Sequence, residues 1–146
     1  MWEGHTTLKW DTPEQIKRNL ELYRKLKRMV LSLCREAREV SSTMVTDKVK
    51  GSSKEFPYAK RSYTVEGVFY RKVDRLENAI REGNAKLRDI EQFVDGIDDV
   101  LVQQAVRMHY IRGETWQRVS MDLMGSRSEA TARMMVFRYF EKLCSL

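Results

Sequence analysis

Hydrophobic residues recur along this chain at helical intervals almost throughout. In residues 13–41 they fall at Ile16, Leu20 and Tyr23 and, on an adjoining stripe, at Leu22, Leu26, Met29, Leu33, Ala37 and Val40. Steps of three and four mark one face of an amphipathic helix, and two adjoining stripes make that face wide enough to need a partner. The start is signalled by Asp11-Thr12-Pro13-Glu14. Thr12 suits the cap, Pro13 the first helical position, where a missing N–H costs nothing, and Glu14 the positive end of the helix dipole.

The matching pattern lies at residues 68–96, where Phe69, Val73, Leu76, Ile80, Leu87, Ile90, Val94 and Ile97 alternate steps of three and four, with Gly83 in the one missing seam position. About four heptads of this kind predict a helical hairpin or coiled coil, within one chain or between two. Gly83 removes a knob from the seam, so a kink or a close helix approach is expected there.

The stretch between them, residues 42–66, has no such period. Its β-branched and aromatic residues around Gly51-Ser52-Ser53 predict a small β-hairpin, with Val45–Val49 and Tyr63–Val65 as arms, or an extended arm. Lys54, Phe56, Tyr58, Lys60, Arg61 and Tyr63 interleave charge with rings, a mixture that could stack on bases, although packing back on the helices is the favoured reading because an exposed aromatic arm is unusual.

Beyond the joint at Asp95-Gly96 a further helix over 97–110 is expected to present Val100, Leu101, Ala105, Met108 and Tyr110. Gly113 would close it, and Thr115 would cap a short helix with Trp116, Val119 and Leu123 inward. Met124-Gly125-Ser126-Arg127 interrupts the period for a few residues, and Ser128-Glu129 opens a longer basic helix running to Leu143. Trp116, Met121, Met124, Met135 and Phe140 are expected in the core, since methionines and rings at helical spacing are mostly packing. Two helices joined by a tight glycine turn, the second longer and basic, predict a helix-turn-helix. The fold expected is therefore all-α, with an N-terminal helical hairpin over 1–96 carrying the 42–66 insertion and a helix-turn-helix domain over 97–146.

Charge sharpens this picture by its distribution. Residues 9–61 hold 14 Lys/Arg against 7 Asp/Glu, residues 62–106 hold 6 against 9, and residues 107–146 hold 7 against 4. Basic ends around an acidic middle suit a polyanionic partner, whose condensed counterions each cation releases; the same charges also suit the solvated faces of helices. The 42% hydrophobic content and two prolines point to a folded chain. No apolar run reaches bilayer length, and Met1-Trp2-Glu3-Gly4-His5 lacks a signal-peptide layout, so no membrane association is expected.

Little in the chain suggests catalysis. His5 and His109 stand alone, Cys34 and Cys144 have no metal-ligand spacing, and no glycine-rich phosphate loop follows a strand. Asp95, Asp98 and Asp99 read as helix-dipole partners rather than a metal site. No catalytic residue, metal or cofactor is expected.

The run Arg107-Met108-His109-Tyr110-Ile111-Arg112-Gly113-Glu114-Thr115-Trp116-Gln117-Arg118-Val119-Ser120 resembles the support helix, turn and first helix of sigma-70 region 4. Gly125-Ser126-Arg127-Ser128-Glu129-Ala130-Thr131-Ala132-Arg133, with Arg138 and Leu143 at later turns, is similar to that fold's recognition helix. The remainder, with Thr46-Asp47-Lys48-Val49-Lys50-Gly51-Ser52-Ser53 and Glu55-Phe56-Pro57-Tyr58, looks like small phage and prophage proteins, some called ArpU-like or RinA-like late transcriptional regulators. The resemblance implies transcriptional control in a bacterial cytoplasm, with double-stranded DNA as partner and RNA polymerase or a second copy of the chain as further partners. With the second helix docked by its N-terminal part, Glu129 would accept from cytosine, Arg133 donate to guanine and Ala130 touch a thymine methyl, with Met134 beside them. Arg118, Arg127, Ser128 and Arg138 would meet phosphates. Ala130, Met134 and Phe137 depart from the usual polar outer face, and the same arginines also suit pairing with Glu129 or Glu141 along the helix. Helix-turn-helix modules serve phage small terminase subunits too, so a packaging or structural protein is the alternative.

Overall fold

The computed structural model describes residues 8–51 and 58–145, with side chains described for 8–42 and 70–145. Within them the chain is all-helical. Helix α1 spans Pro13–Gly51, α2 Tyr58–Asp95, α3 Val100–Val106, α4 Trp116–Met124 and α5 Glu129–Cys144, with a π-helical turn, Arg107–Ile111, between α3 and α4. No described helix is long and apolar enough to cross a membrane.

The expected start of α1 is realised in hydrogen bonds. The Gln15 amide donates to Thr12 Oγ1 at 3.2 Å, and the Gln15 side chain accepts from the Asp11 amide at 3.0 Å. These bonds occupy amides that a helix otherwise leaves unpaired in and just before its first turn.

The expectation of β-structure at 42–66 is overturned. Val45–Val49 lies in α1 and Tyr63–Val65 in α2, so both supposed arms are helical; Ser52–Ser53, Lys54 and Phe56 lie outside the described residues. Once a helix is nucleated, each further residue adds a backbone hydrogen bond with little new entropy to lose, whereas an isolated two-stranded hairpin is marginal in water. No proline or glycine interrupts residues 42–50, so propagation wins over β-propensity.

The chain divides into two compact units, residues 1–27 with 85–146 and residues 28–84. Helices pack wherever apolar faces meet, so α1 and α2 each contribute one end to the first unit and the rest to the second. In the 28–84 unit, Val30 and Leu76 are buried and Gly83 sits against Val30. A Cβ at Gly83 would lie 2.6 Å from Val30 Cγ2, so this seam position is a close approach where a side chain would force Val30 to move. Val30 continues the steps of Ile16, Leu20 and Tyr23, whereas Met29, expected in the buried face, is exposed.

In the other unit Ile16, Leu20 and Tyr23 from α1 and Leu87, Ile90 and Val94 from α2 are buried, as are Val102, Val106, Val119, Val136 and Phe140. Complete burial of a side chain such as Phe140 is worth about 1.5–3 kcal/mol. The Trp10 ring stacks on Phe93 at 4.2 Å and 5°, and Asn19 Nδ2 donates to the Lys9 carbonyl at 2.7 Å, tying the segment ahead of α1 to the core.

The 97–110 expectation needs correction. Asp99 caps α3 by accepting from the Leu101 and Val102 amides at 3.0 and 3.2 Å, so Ile97 precedes the helix. Val100 is 78% exposed and Leu101 40%, while Val102 and Val106 are buried in their place beside Ala105, Met108 and Tyr110. Burial of Val102, Ala105 and Val106 sets the inward face of the helix, and Val100 falls on the opposite side.

Candidate functional site

The C-terminal segment is built around two glycines in the left-handed region. Gly113 has φ +80° and donates its amide to the His109 carbonyl, while the Glu114 amide reaches the Met108 carbonyl. The Arg24 guanidinium lies where a Gly113 side chain would begin, with Cζ 2.5 Å from that position. Ahead of it the Arg112 amide bonds to the Arg107 carbonyl at 3.0 Å, the five-residue step that makes the turn π-helical. That step accompanies a cluster of rings. His109 stacks on Trp116 at 3.9 Å and 19°, and Tyr110 meets both edge-on at 4.7 and 5.7 Å.

His109 Nδ1 lies 2.7 Å from the Glu114 carbonyl oxygen, which can only accept, so Nδ1 carries the proton. Burial holds the imidazolium below its ordinary pKa, a shift partly opposed by the Glu114 carbonyl. Burial, with the Glu21 charge behind it, pushes the Tyr110 phenol well above its usual range.

Thr115 caps α4 as expected, accepting from the Arg118 amide at 3.2 Å. The helix ends at Gly125, φ +62°, whose amide reaches Met121 O, and the Ser126 amide bonds to Ser120 O. Ser128 stands at the cap position of α5, but its hydroxyl makes no capping bond. The hydroxyl that serves the first turn of α5 belongs to Ser120, wholly buried on α4. It accepts from the Ala132 amide at 3.0 Å and donates to the Glu129 carbonyl at 3.4 Å. Ser126 supports the turn by accepting from the Ser128 amide and bonding Thr131 Oγ1 at 2.9 Å.

Helix α5 turns Ala132, Val136 and Phe140 inward. Of the residues singled out from the sequence, Arg127, Ser128, Glu129, Arg133, Met134 and Arg138 are exposed and Ala130 is half-buried. Helical phase places Met134 and Arg138 opposite the buried stripe and Arg133 on its flank, about 60° from the centre of that stripe at 100° per residue. Arg133 Nη1 pairs with Glu129 at 3.5 Å. Arg118 on α4 pairs with Glu114 at 3.5 Å and Asp122 at 3.8 Å. Pairs this exposed are worth about 0–1 kcal/mol and exchange readily for another anion. Arg127 and Arg138 make no hydrogen bond or ion pair among the described residues.

Met121 and Met124, expected in the core, are 44% and 39% exposed. The inward face of α4 is taken by Val119 and Ser120, with Trp116 and Leu123 half-buried, which leaves both methionines off that face.

Each carboxylate of the acidic cluster has its own partner. Asp95 pairs with Arg107 at 2.7 Å, Asp98 accepts from the Tyr139 hydroxyl at 2.6 Å, and Asp99 caps α3. The Tyr139 bond is the main reason the Asp98 carboxyl is held below its ordinary pKa. No group of three or more metal-ligating side chains converges among the described residues.

Beside Arg133 lies a cleft of about 230 Å³. Tyr110, Trp116, Met134, Val136, Phe137 and Phe140 line it. Arg133 and Lys17, the latter from the start of α1, supply its positive charge. Lys17 sits 99 positions or more from every other lining residue except Tyr110, at 93, so no local pattern brings it to notice. Ser120 carries no sequence signal for a related reason: a serine inside a short helix has no signature of its own. No protein-family model, curated protein or solved structure matches this chain.

Proposed function

We propose that this protein binds duplex DNA through a helix-turn-helix formed by α4 and α5 and acts as a phage or prophage transcription regulator of the sigma-70 region 4-like kind. The observation that carries this reading is the α4–turn–α5 geometry itself: a capped short helix, a left-handed Gly125, a turn with exposed Arg127 and Ser128, and a longer helix whose first turns hold exposed Glu129 and Arg133. Arg118, Arg127, Ser128 and Arg138 take phosphates and set register, while Glu129, Ala130, Arg133 and Met134 face base edges. Arg118 and Arg133 exchange weak surface pairs for DNA. Helices α1 and α2 form a hairpin that serves self-association or contact with RNA polymerase. No catalytic step, metal or cofactor belongs to this reading.

The test is selection of bound duplexes from a random pool, followed by anisotropy titration of the enriched duplex at several salt concentrations. Arg138→Ala lowers affinity for all duplexes and makes the salt slope shallower by about one, whereas Arg133→Ala relaxes preference at one base position. Parent-like binding by both variants overturns the assignment.

Exposed Met121, Met124 and Met134 favour a second reading, a terminase-like or adaptor protein whose C-terminal segment packs on another protein. A large closed ring in light scattering, with no salt-dependent DNA binding, would favour it over the first.

A further inference from the structure

We infer that the cleft between the start of α1 and the flank of α5 is a binding site for a small aromatic carboxylate of one or two rings. Its composition sets the ligand's chemistry. Trp116, Phe137 and Phe140 give the lining aromatic surface suited to a planar apolar body, and Lys17 and Arg133 supply two cations for an anionic group. Its size sets the ligand's class: about 230 Å³ is below the roughly 300–1,000 Å³ typical of sites for drug-sized molecules. A nucleotide or a folded peptide segment is too large, and a simple inorganic anion would leave the ring walls unused.

The charge balance favours an anion. Arg133 has a carboxylate neighbour in Glu129, but the 3.5 Å contact joins two side chains that are 49% and 63% exposed. Such a pair is weak and leaves most of the five guanidinium N–H donors free for a bidentate acceptor. Lys17 is exposed and is not among the residues assigned to DNA, which gives the site a cation that can be removed without touching the proposed reading surface.

Arg133 belongs to both places. A carboxylate held in the cleft draws its guanidinium toward the flank and away from a base edge, so occupancy weakens DNA binding. This consequence rests on the DNA-binding reading above; the site itself does not.

The experiment titrates the full chain by calorimetry with benzoate and indole-3-acetate and with their uncharged counterparts benzamide and indole-3-acetamide, following the Trp116 indole N–H by NMR. At least one acid is expected to bind about tenfold more tightly than its amide, to shift Trp116, and to lose part of that advantage in Lys17→Met, with the Arg133 contact retained. Equal affinity of both acids and their amides, absence of binding at millimolar concentration, or an unchanged advantage in Lys17→Met overturns the site. Anisotropy with the enriched duplex separates the two claims. If the parent binds DNA but shows no acid preference, the cleft fails and the DNA reading stands; if it binds acid in the expected way but no duplex, the reverse holds.

Discussion

Replacing Ser120 by alanine tests how the angle between α4 and α5 is held. The Ser120 hydroxyl is wholly buried and occupies the Ala132 amide at 3.0 Å, in the first turn of α5 where backbone donors lack helical partners. Ala132 is itself buried, so water does not replace the lost acceptor. A buried donor stripped of its partner costs about 1–3 kcal/mol. The Glu129 carbonyl, reached only at 3.4 Å, adds little, since a carbonyl at the start of a helix also has an amide partner one turn on. Ser120→Ala is therefore expected to lower stability by about 2 kcal/mol, which for a chain of this length lowers Tm by roughly 5–8 °C. Ser128→Ala is the internal comparison. A serine that caps through its side chain contributes about 0.5–2 kcal/mol, but the Ser128 hydroxyl makes no such bond, so its loss should stay within about 0.5 kcal/mol. Urea unfolding reads both as midpoint shifts at unchanged m-value. A larger loss in Ser128→Ala than in Ser120→Ala would refute the reasoning, because α5 would then be capped in the ordinary way.

Gly83→Ala brings a methyl 2.6 Å from Val30 Cγ2; a gain of about 1 kcal/mol in helix propensity opposes overpacking of about 1–3 kcal/mol, for a net loss of roughly 1 kcal/mol. Much of that loss should return in Gly83→Ala/Val30→Ala relative to Val30→Ala alone, as a double-mutant cycle in urea would show. His109 carries a pH signature: its pKa is depressed on folding from an ordinary 6.5, so the unfolded chain binds more protons between the two values. Stability from this group is complete above 6.5 and falls as pH drops through the folded pKa. Melts from pH 7.5 to 5 should show a decline in Tm that His109→Gln reduces. Over that range Asp98 contributes nothing, because its depressed carboxyl loses stability only as pH falls below its ordinary 3.8. An identical slope in parent and variant would remove His109 from the account.

What could be read along the chain was local. Thr12 and Thr115 cap because a hydroxyl beside the first turn has amides within reach whatever lies elsewhere. Gly113 and Gly125 adopt positive φ because they close helices in a conformation that side chains oppose. Steps of three and four at Ile16, Leu20 and Tyr23, and at Leu87, Ile90 and Val94, gave buried stripes because helical period alone decides which residues share a face. The all-α class follows from these features, and it extends into residues 42–50 and 58–66 because propagation outweighed the β-branched composition on which the hairpin expectation rested.

The tertiary structure decided which of several permitted partners each side chain takes. Helical spacing allowed Met121 and Met124 to be core, but α4 could bury only one face, and Val119 and Ser120 held it. Ser128 looked like the cap of α5, yet the acceptor for Ala132 came from another helix. Gly83 reads as a missing knob in the seam, and its contact with Val30 shows that a knob there would be overpacked. Lys17 and Arg133 share a cleft although 116 positions separate them. Period and capping are set within a few residues, so composition carries them; burial and pairing depend on which surfaces compete for the same space, and that competition is resolved only when the helices pack.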